Sequence, residues 1–152
     1  MSDLKTEFLG EIYADLEEPL AVGETPHGTR MIYNIKGGTV KGPKINAEVL
    51  QGGADWIILR PDGVGELDVR ATIRTDDDAL IYVCYRGILS VTPEIMAKIQ
   101  QGEAVDSTEY YFRTTPVFET ASEKYAWLNK IIAVGVGTII PNAVAYKVYT
   151  IL

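Results

Sequence analysis

The segment from Ala54 to Leu89 leaves few folds open to this chain. Apolar and polar residues alternate with a period of two, and the alternation is broken twice by turn residues, at Pro61-Asp62-Gly63 and at Asp76-Asp77-Asp78. Such alternation marks strands with one buried face, and Gly and Asp mark turns because they tolerate positive φ or cap the backbone locally. The segment therefore predicts strands over Ala54–Arg60, Val64–Thr75 and Ala79–Leu89, joined as two successive antiparallel hairpins. With Arg60 opposite Val64, Ile58 lies near Glu66 and Trp56 near Asp68. With Thr75 opposite Ala79, Asp68 lies near Arg86, Arg70 near Cys84 and Thr72 near Tyr82. A slip of one residue would turn a whole strand over.

Similar patterns extend to both ends. Strands are expected from about Phe8 to Leu16, Arg30 to Lys36 (ended by Gly37-Gly38), Lys44 to Leu50, Glu109 to Glu119, Trp127 to Ile139 and Ala143 to Leu152, with Pro19 and residues 23–28 breaking regularity. One helix is expected over about Pro93–Gln101, with Thr92 as N-cap, Pro93 in the first helical position and Gly102 as the stop. With no linker-like stretch, the 152 residues read as a single domain. Eight to ten strands and one short helix make an all-β antiparallel protein. A barrel closes the sheet edges most completely, and a two-sheet sandwich is the alternative.

Composition narrows the partners. Apolar residues make up 47% of the chain, enough for a core, and the net charge is −7. An acidic chain without clustered Lys and Arg suits neither a nucleic-acid backbone nor an anionic membrane surface. No apolar stretch approaches the roughly 18–20 residues of a membrane helix. The run Ile131–Ile140 is interrupted by Gly135 and Gly137 and ended by Pro141. With Cys84 the sole cysteine and no basic-then-apolar start, a cytoplasmic location is the expectation.

Phosphate loops, dinucleotide fingerprints and nucleophile elbows are missing, so no cofactor is expected. The single histidine, His27, excludes multi-histidine metal sites and reads as a loop residue, and no metal site is expected. Asp76–Asp78 lacks the ligand spacing of a calcium loop. Cys84, in mid-strand, reads as a buried structural thiol rather than a nucleophile.

Two groups of residues carry possible chemistry. In the predicted register one face of the central hairpins collects Ile57, Leu59, Leu67, Val69, Ala71, Ile73, Ile81, Val83 and Tyr85, and must be buried. The other collects Trp56, Ile58, Arg60, Glu66, Asp68, Arg70, Thr72, Tyr82, Cys84 and Arg86. This mixed face is either a solvated face laced with weak ion pairs or the polar wall of a barrel cavity. The second group is Glu109-Tyr110-Tyr111-Phe112-Arg113, followed by Glu119, Tyr125, Trp127 and Asn129. Aromatics beside Arg suit carboxylate or aromatic ligands, and equally suit ordinary strand packing.

The segments GGADW (52–56), RPDGVGELDVR (60–70), RTDDDALIYV (74–83), EYYFRTTPVFET (109–120), YAWLN (125–129) and VGVG (134–137) occur in the order of one bacterial and fungal family, numbered 3237 among the domains of unknown function. Over about Leu4 to Leu152 the chain resembles that family. The resemblance implies a small antiparallel β-barrel similar to the allene oxide cyclase and dirigent barrels, and no established activity. It directs attention to Trp56, Asp68 and Arg70, to Tyr111 and Arg113, and to Trp127 and Asn129. Asp77-Asp78 stands where the family pattern suggests Asp-Gly.

The function expected on these grounds is binding of a small apolar or anionic organic molecule, as a cofactor-independent isomerase or cyclase. Asp68, Arg70 and Tyr111 are the candidate catalytic residues. Trp56, Tyr82, Arg86, Arg113, Trp127 and Asn129 are the candidate ligand-binding residues. The alternative is a non-catalytic binding or interaction module that forms a homo-oligomer.

Overall fold

A computed structural model describes residues 3–152. Its eleven strands are β1 (Thr6–Leu16), β2 (Leu20–Thr25), β3 (Gly28–Lys41), β4 (Asn46–Val49), β5 (Ala54–Leu59), β6 (Gly65–Thr75), β7 (Leu80–Ser90), β8 (Tyr111–Thr114), β9 (Val117–Glu119), β10 (Ile132–Ile140) and β11 (Ala143–Ile151). One α-helix, α1 (Pro93–Gln100), lies between β7 and β8. Eight strands close on themselves in the order β6-β5-β3-β1-β11-β10-β8-β7, and the β6–β7 pairing seals the ring. Strands β2, β4 and β9 are additions to it, and every strand pairing is antiparallel. The barrel expectation holds, with one strand more than the upper end of the expected range.

The central register is the predicted one. Asp68 pairs with Arg86, Arg70 with Cys84, Thr72 with Tyr82 and Ile58 with Glu66. The turns account for this. Arg60 and Val64 close the first, and Thr75 and Ala79 close the second with a backbone bond of 2.9 Å. Thr75 and Asp77 link their side chains at 2.6 Å, and Asp78 adopts φ 69°, the left-handed conformation a glycine would otherwise supply. The helix is capped as expected: the Thr92 hydroxyl accepts from the Ile95 amide at 3.2 Å, and Gly102 has φ 81°.

Closure gives each strand an inside and an outside, and the apolar face turns inward. Leu67, Val69, Ile73, Ile81 and Val83 are all buried. Leu59, expected on that face, is exposed at the end of β5. The VGVG glycines are inward positions that make room. A Cβ on Gly137 would lie 2.6 Å from the Phe112 ring, and one on Gly135 would strike the Thr114 hydroxyl.

Several expectations are corrected. Residues 23–28 form the β2–β3 hairpin instead of breaking regularity, with His27 exposed beside its tip. Gly37-Gly38 does not end a strand. β3 runs through it to Lys41, because Gly38 admits the β1 backbone at Tyr13–Ala14 where a Cβ would collide. Trp127 opens no strand: Ala126–Lys130 is a 3₁₀ turn that buries Leu128, and β10 starts at Ile132. Cys84 faces outward and is only partly buried.

Since a methyl group at position 137 must displace a buried ring, Gly137→Ala is expected to destabilise the fold by about 1–3 kcal/mol. Urea unfolding measures this, and Gly37→Ala, where an added Cβ makes only an ordinary contact with the Val49 carbonyl at 3.5 Å, controls for the loss of a glycine.

Candidate functional site

The inward face is not uniformly apolar. On β5, the inward position before Ile57 is Asp55, and Tyr33 on β3 lies directly opposite it. On the other side Asp55 pairs with Val69 of β6, and Val69 pairs with Tyr85 of β7. Tyr33, Asp55, Val69 and Tyr85 thus form one row across four adjacent strands. Tyr146 of β11 meets Tyr85 edge-on at 5.2 Å between ring centroids, and Phe112 meets Tyr146 at 5.4 Å.

This row borders a cavity of about 410 Å³. Its walls are mostly aliphatic, including Ile35, Ile57, Leu67, Val69 and Leu89. One end is bordered by α1 through Met96, Ile99 and Gln100, by Leu16 at the end of β1 and Glu17 after it, and by the Pro141-Asn142 turn. A cavity of this size with apolar walls and a few convergent polar groups fits a small organic molecule.

The backbone around Asp55 is opened to hold it. The β5–β6 register would set Trp56 opposite Asp68, but the ladder is interrupted there. The Asp68 amide donates instead to Asp55 Oδ1 at 3.1 Å, and the Trp56 carbonyl accepts from the Arg30 guanidinium at 2.7 Å. Burial pushes the Asp55 carboxyl up to about 7. The Asp68 amide pulls it down, and the nearby Asp68 charge adds to the rise. Burial also raises Tyr33, Tyr85 and Tyr146, so all three stay protonated at neutral pH and offer O–H donors. Asp55 adds to the rise in each through its charge.

The residues singled out from sequence lie elsewhere. The mixed face is the outside of the barrel. Trp56 and Tyr82 are each 37% exposed there, and Arg70 is exposed opposite Cys84. Asp68 faces Arg86 across the strands at 3.9 Å, a loose exposed pair worth little. Tyr111 is exposed, with the Arg113 guanidinium 5.1 Å over its ring. Arg86, Tyr111 and Arg113 do come together, in an outer groove with Ile88, Val134 and Val136. Trp127 packs against the core with Lys44 over its ring. Asn129 clamps Thr120, accepting from its amide at 2.8 Å and donating to its carbonyl at 2.9 Å. None of these nine side chains borders the cavity.

Asp55, Tyr33 and Tyr146 were not among the sequence candidates. The available signal was parity: Asp55 is the one charged residue in step with Ile57 on β5. Among the described residues no three His, Cys, Asp or Glu side chains gather as metal ligands, and no helix is long and apolar enough to cross a membrane.

Comparison with known proteins places the chain in a family. The model of the protein family of unknown function DUF3237 matches residues 4–151, and the chain belongs to that family. A UPF0311 protein of Clostridium acetobutylicum is 39% identical over 152 residues, 99% of this chain and 96% of its own. The crystal structure of a conserved protein of unknown function from Rhodopseudomonas palustris superposes with a TM-score of 0.92 at 37% identity, covering 100% of both chains. A fungal relative, PR-toxin biosynthesis cluster protein 7 of Penicillium roqueforti, is 29% identical over 84% of this chain and 78% of its own.

Asp55 makes a prediction for stability. Its folded-state pKa lies above its ordinary value of 3.8, so folding takes up a proton between the two values. Its contribution is fully present below pH 3.8 and is lost as pH rises through about 7. Asp62 and Asp77, held low by hydrogen bonds from Arg60 and Lys124, act in the opposite direction. The difference between wild type and Asp55→Asn isolates the effect, since Asn still accepts from the Asp68 amide. From pH 4 to 8 the wild type is expected to lose up to about 4 kcal/mol relative to the variant, measured by urea unfolding across pH.

Proposed function

We propose that this DUF3237 barrel binds a small, mainly apolar organic molecule in its cavity and moves a proton within it, as a cofactor-independent isomerase or cyclase. One observation carries the reading: a carboxyl group raised to about 7, inside an apolar cavity that three tyrosines border. A group titrating near neutral pH serves as both base and acid. Ionised Asp55 takes a proton from a carbon or hydroxyl of the bound molecule, and protonated Asp55 returns it at another atom. Isomerisation and ring closure need no more, since no atom is gained or lost. Tyr33, Tyr85 and Tyr146 supply hydrogen bonds to an oxygen on which negative charge develops. The apolar walls hold the molecule in one conformation and exclude water. The fungal relative's name, which ties it to a biosynthesis cluster, agrees with a small-molecule substrate.

The acid–base role expected of Asp68, Arg70 and Tyr111 thereby passes to cavity residues. The second reading, a non-catalytic binding or interaction module that forms a homo-oligomer, draws on the outer groove, where Arg86, Tyr111 and Arg113 adjoin exposed Ile88.

Hydrogen exchange separates the two readings. With enolisable ketones in deuterated buffer at pH 7.5, wild type is expected to accelerate α-hydrogen exchange, followed by NMR. Asp55→Asn should lower that rate by about 10²–10⁴-fold, and Tyr33→Phe by a smaller factor. Rates unchanged by Asp55→Asn would leave the binding-module reading.

A further inference from the structure

The charge of the cavity narrows what it admits. Among the described residues, Asp55 and Glu17 are the charged side chains on its lining, and no Lys, Arg or His joins them. The strands around Asp55 present Tyr33, Tyr85 and Tyr146 inward, with the Asp68 carboxylate outside. The helix supplies no positive end, because α1 lines the cavity through Met96 at its middle and Ile99 and Gln100 in its last turn, where the peptide dipoles present their negative side. The guanidinium groups of Arg86 and Arg113 belong to the groove outside the barrel.

We propose that the cavity's ligand is an uncharged molecule, mainly hydrocarbon or aromatic, that places a carbonyl oxygen against the tyrosine hydroxyls, and that carboxylic acids are shut out. This rests on the cavity being the ligand site, but not on catalysis. A carboxylate inside would face ionised Asp55 with no countercharge, in surroundings that screen poorly. A carbonyl oxygen suits the site, because three O–H donors are at hand and its acceptor needs no countercharge. An ammonium ion would find Asp55, but it would leave its hydration shell for walls such as Ile35, Leu67 and Phe112. The anionic alternative among the expected substrates is thus dropped for the cavity.

Three probes of nearly equal shape test this: 2-acetylnaphthalene, 2-naphthoate and 1-(2-naphthyl)ethylamine. Binding to the full chain is followed at pH 8.5, where Asp55 is ionised, by amide chemical shifts. The ketone is expected to bind at least about tenfold more tightly than the acid, shifting Ile35, Leu67, Val69 and Tyr146. Naphthoate shifts confined to Tyr111 and Arg113 would agree with the proposal, because they place the anion in the outer groove. Asp55→Asn should narrow the ketone–acid gap, and the wild-type mapping stands alone if that variant folds poorly. Cavity binding of naphthoate or the amine as tight as the ketone's would overturn the proposal, as would failure of the ketone to bind at millimolar concentration. These outcomes are independent of the exchange experiment: reversed selectivity with Asp55-dependent exchange sinks only the ligand class, and correct selectivity without exchange sinks only the catalytic reading.

Discussion

Closing eight strands into a ring removes the edges of the sheet and fixes, for every side chain in it, whether it faces protein or solvent. In this barrel the β6–β7 pairing seals the ring with its apolar parity inward, and Leu67, Val69, Ile73, Ile81 and Val83 fill much of the interior. The remaining features follow from that choice. Gly135 and Gly137 face inward and yield space to Thr114 and Phe112. Arg60, Glu66, Asp68, Arg70 and Arg86 face outward, where their charges are solvated and their pairs contribute little.

Against that background Asp55 is the exception that needs a reason. A carboxylate inside an apolar barrel is costly, and its proton affinity rises in response. The surrounding chain accommodates it by giving up part of the β5–β6 ladder: the Asp68 amide turns to Asp55, and Arg30 satisfies the Trp56 carbonyl from outside. Such an arrangement does nothing for packing that an aliphatic residue would not do better. It does hold a titratable group near three tyrosines, the arrangement on which the proposed proton transfer rests.

Much of the fold was legible in the sequence because local signals agreed with one another. The Pro61–Gly63 and Asp76–Asp78 turns set the register of the two central hairpins, and Thr92, Pro93 and Gly102 bounded the helix. Where one signal had two meanings, the sequence misled. Gly37-Gly38 reads as a strand end, yet here the glycines permit close approach of β1 within a longer strand. Tyr125–Lys130 has the aromatics of a strand, yet Leu128 is buried in a 3₁₀ turn whose position the Asn129–Thr120 clamp fixes.

The site was less legible, for a related reason. Two hairpins specify which residues share a face but not which face the closed barrel encloses. Chemistry-bearing residues are most numerous on the mixed face, so attention fell on Asp68, Arg70 and Arg86. A single acid among aliphatic neighbours, Asp55, borders the cavity instead. The claim that rests on it is tested most directly by following the Asp55 carboxyl carbon by NMR from pH 3 to 9. A midpoint near 7 is predicted from its burial, whereas a midpoint near the ordinary 3.8 would mean a solvated carboxylate and would contradict the account.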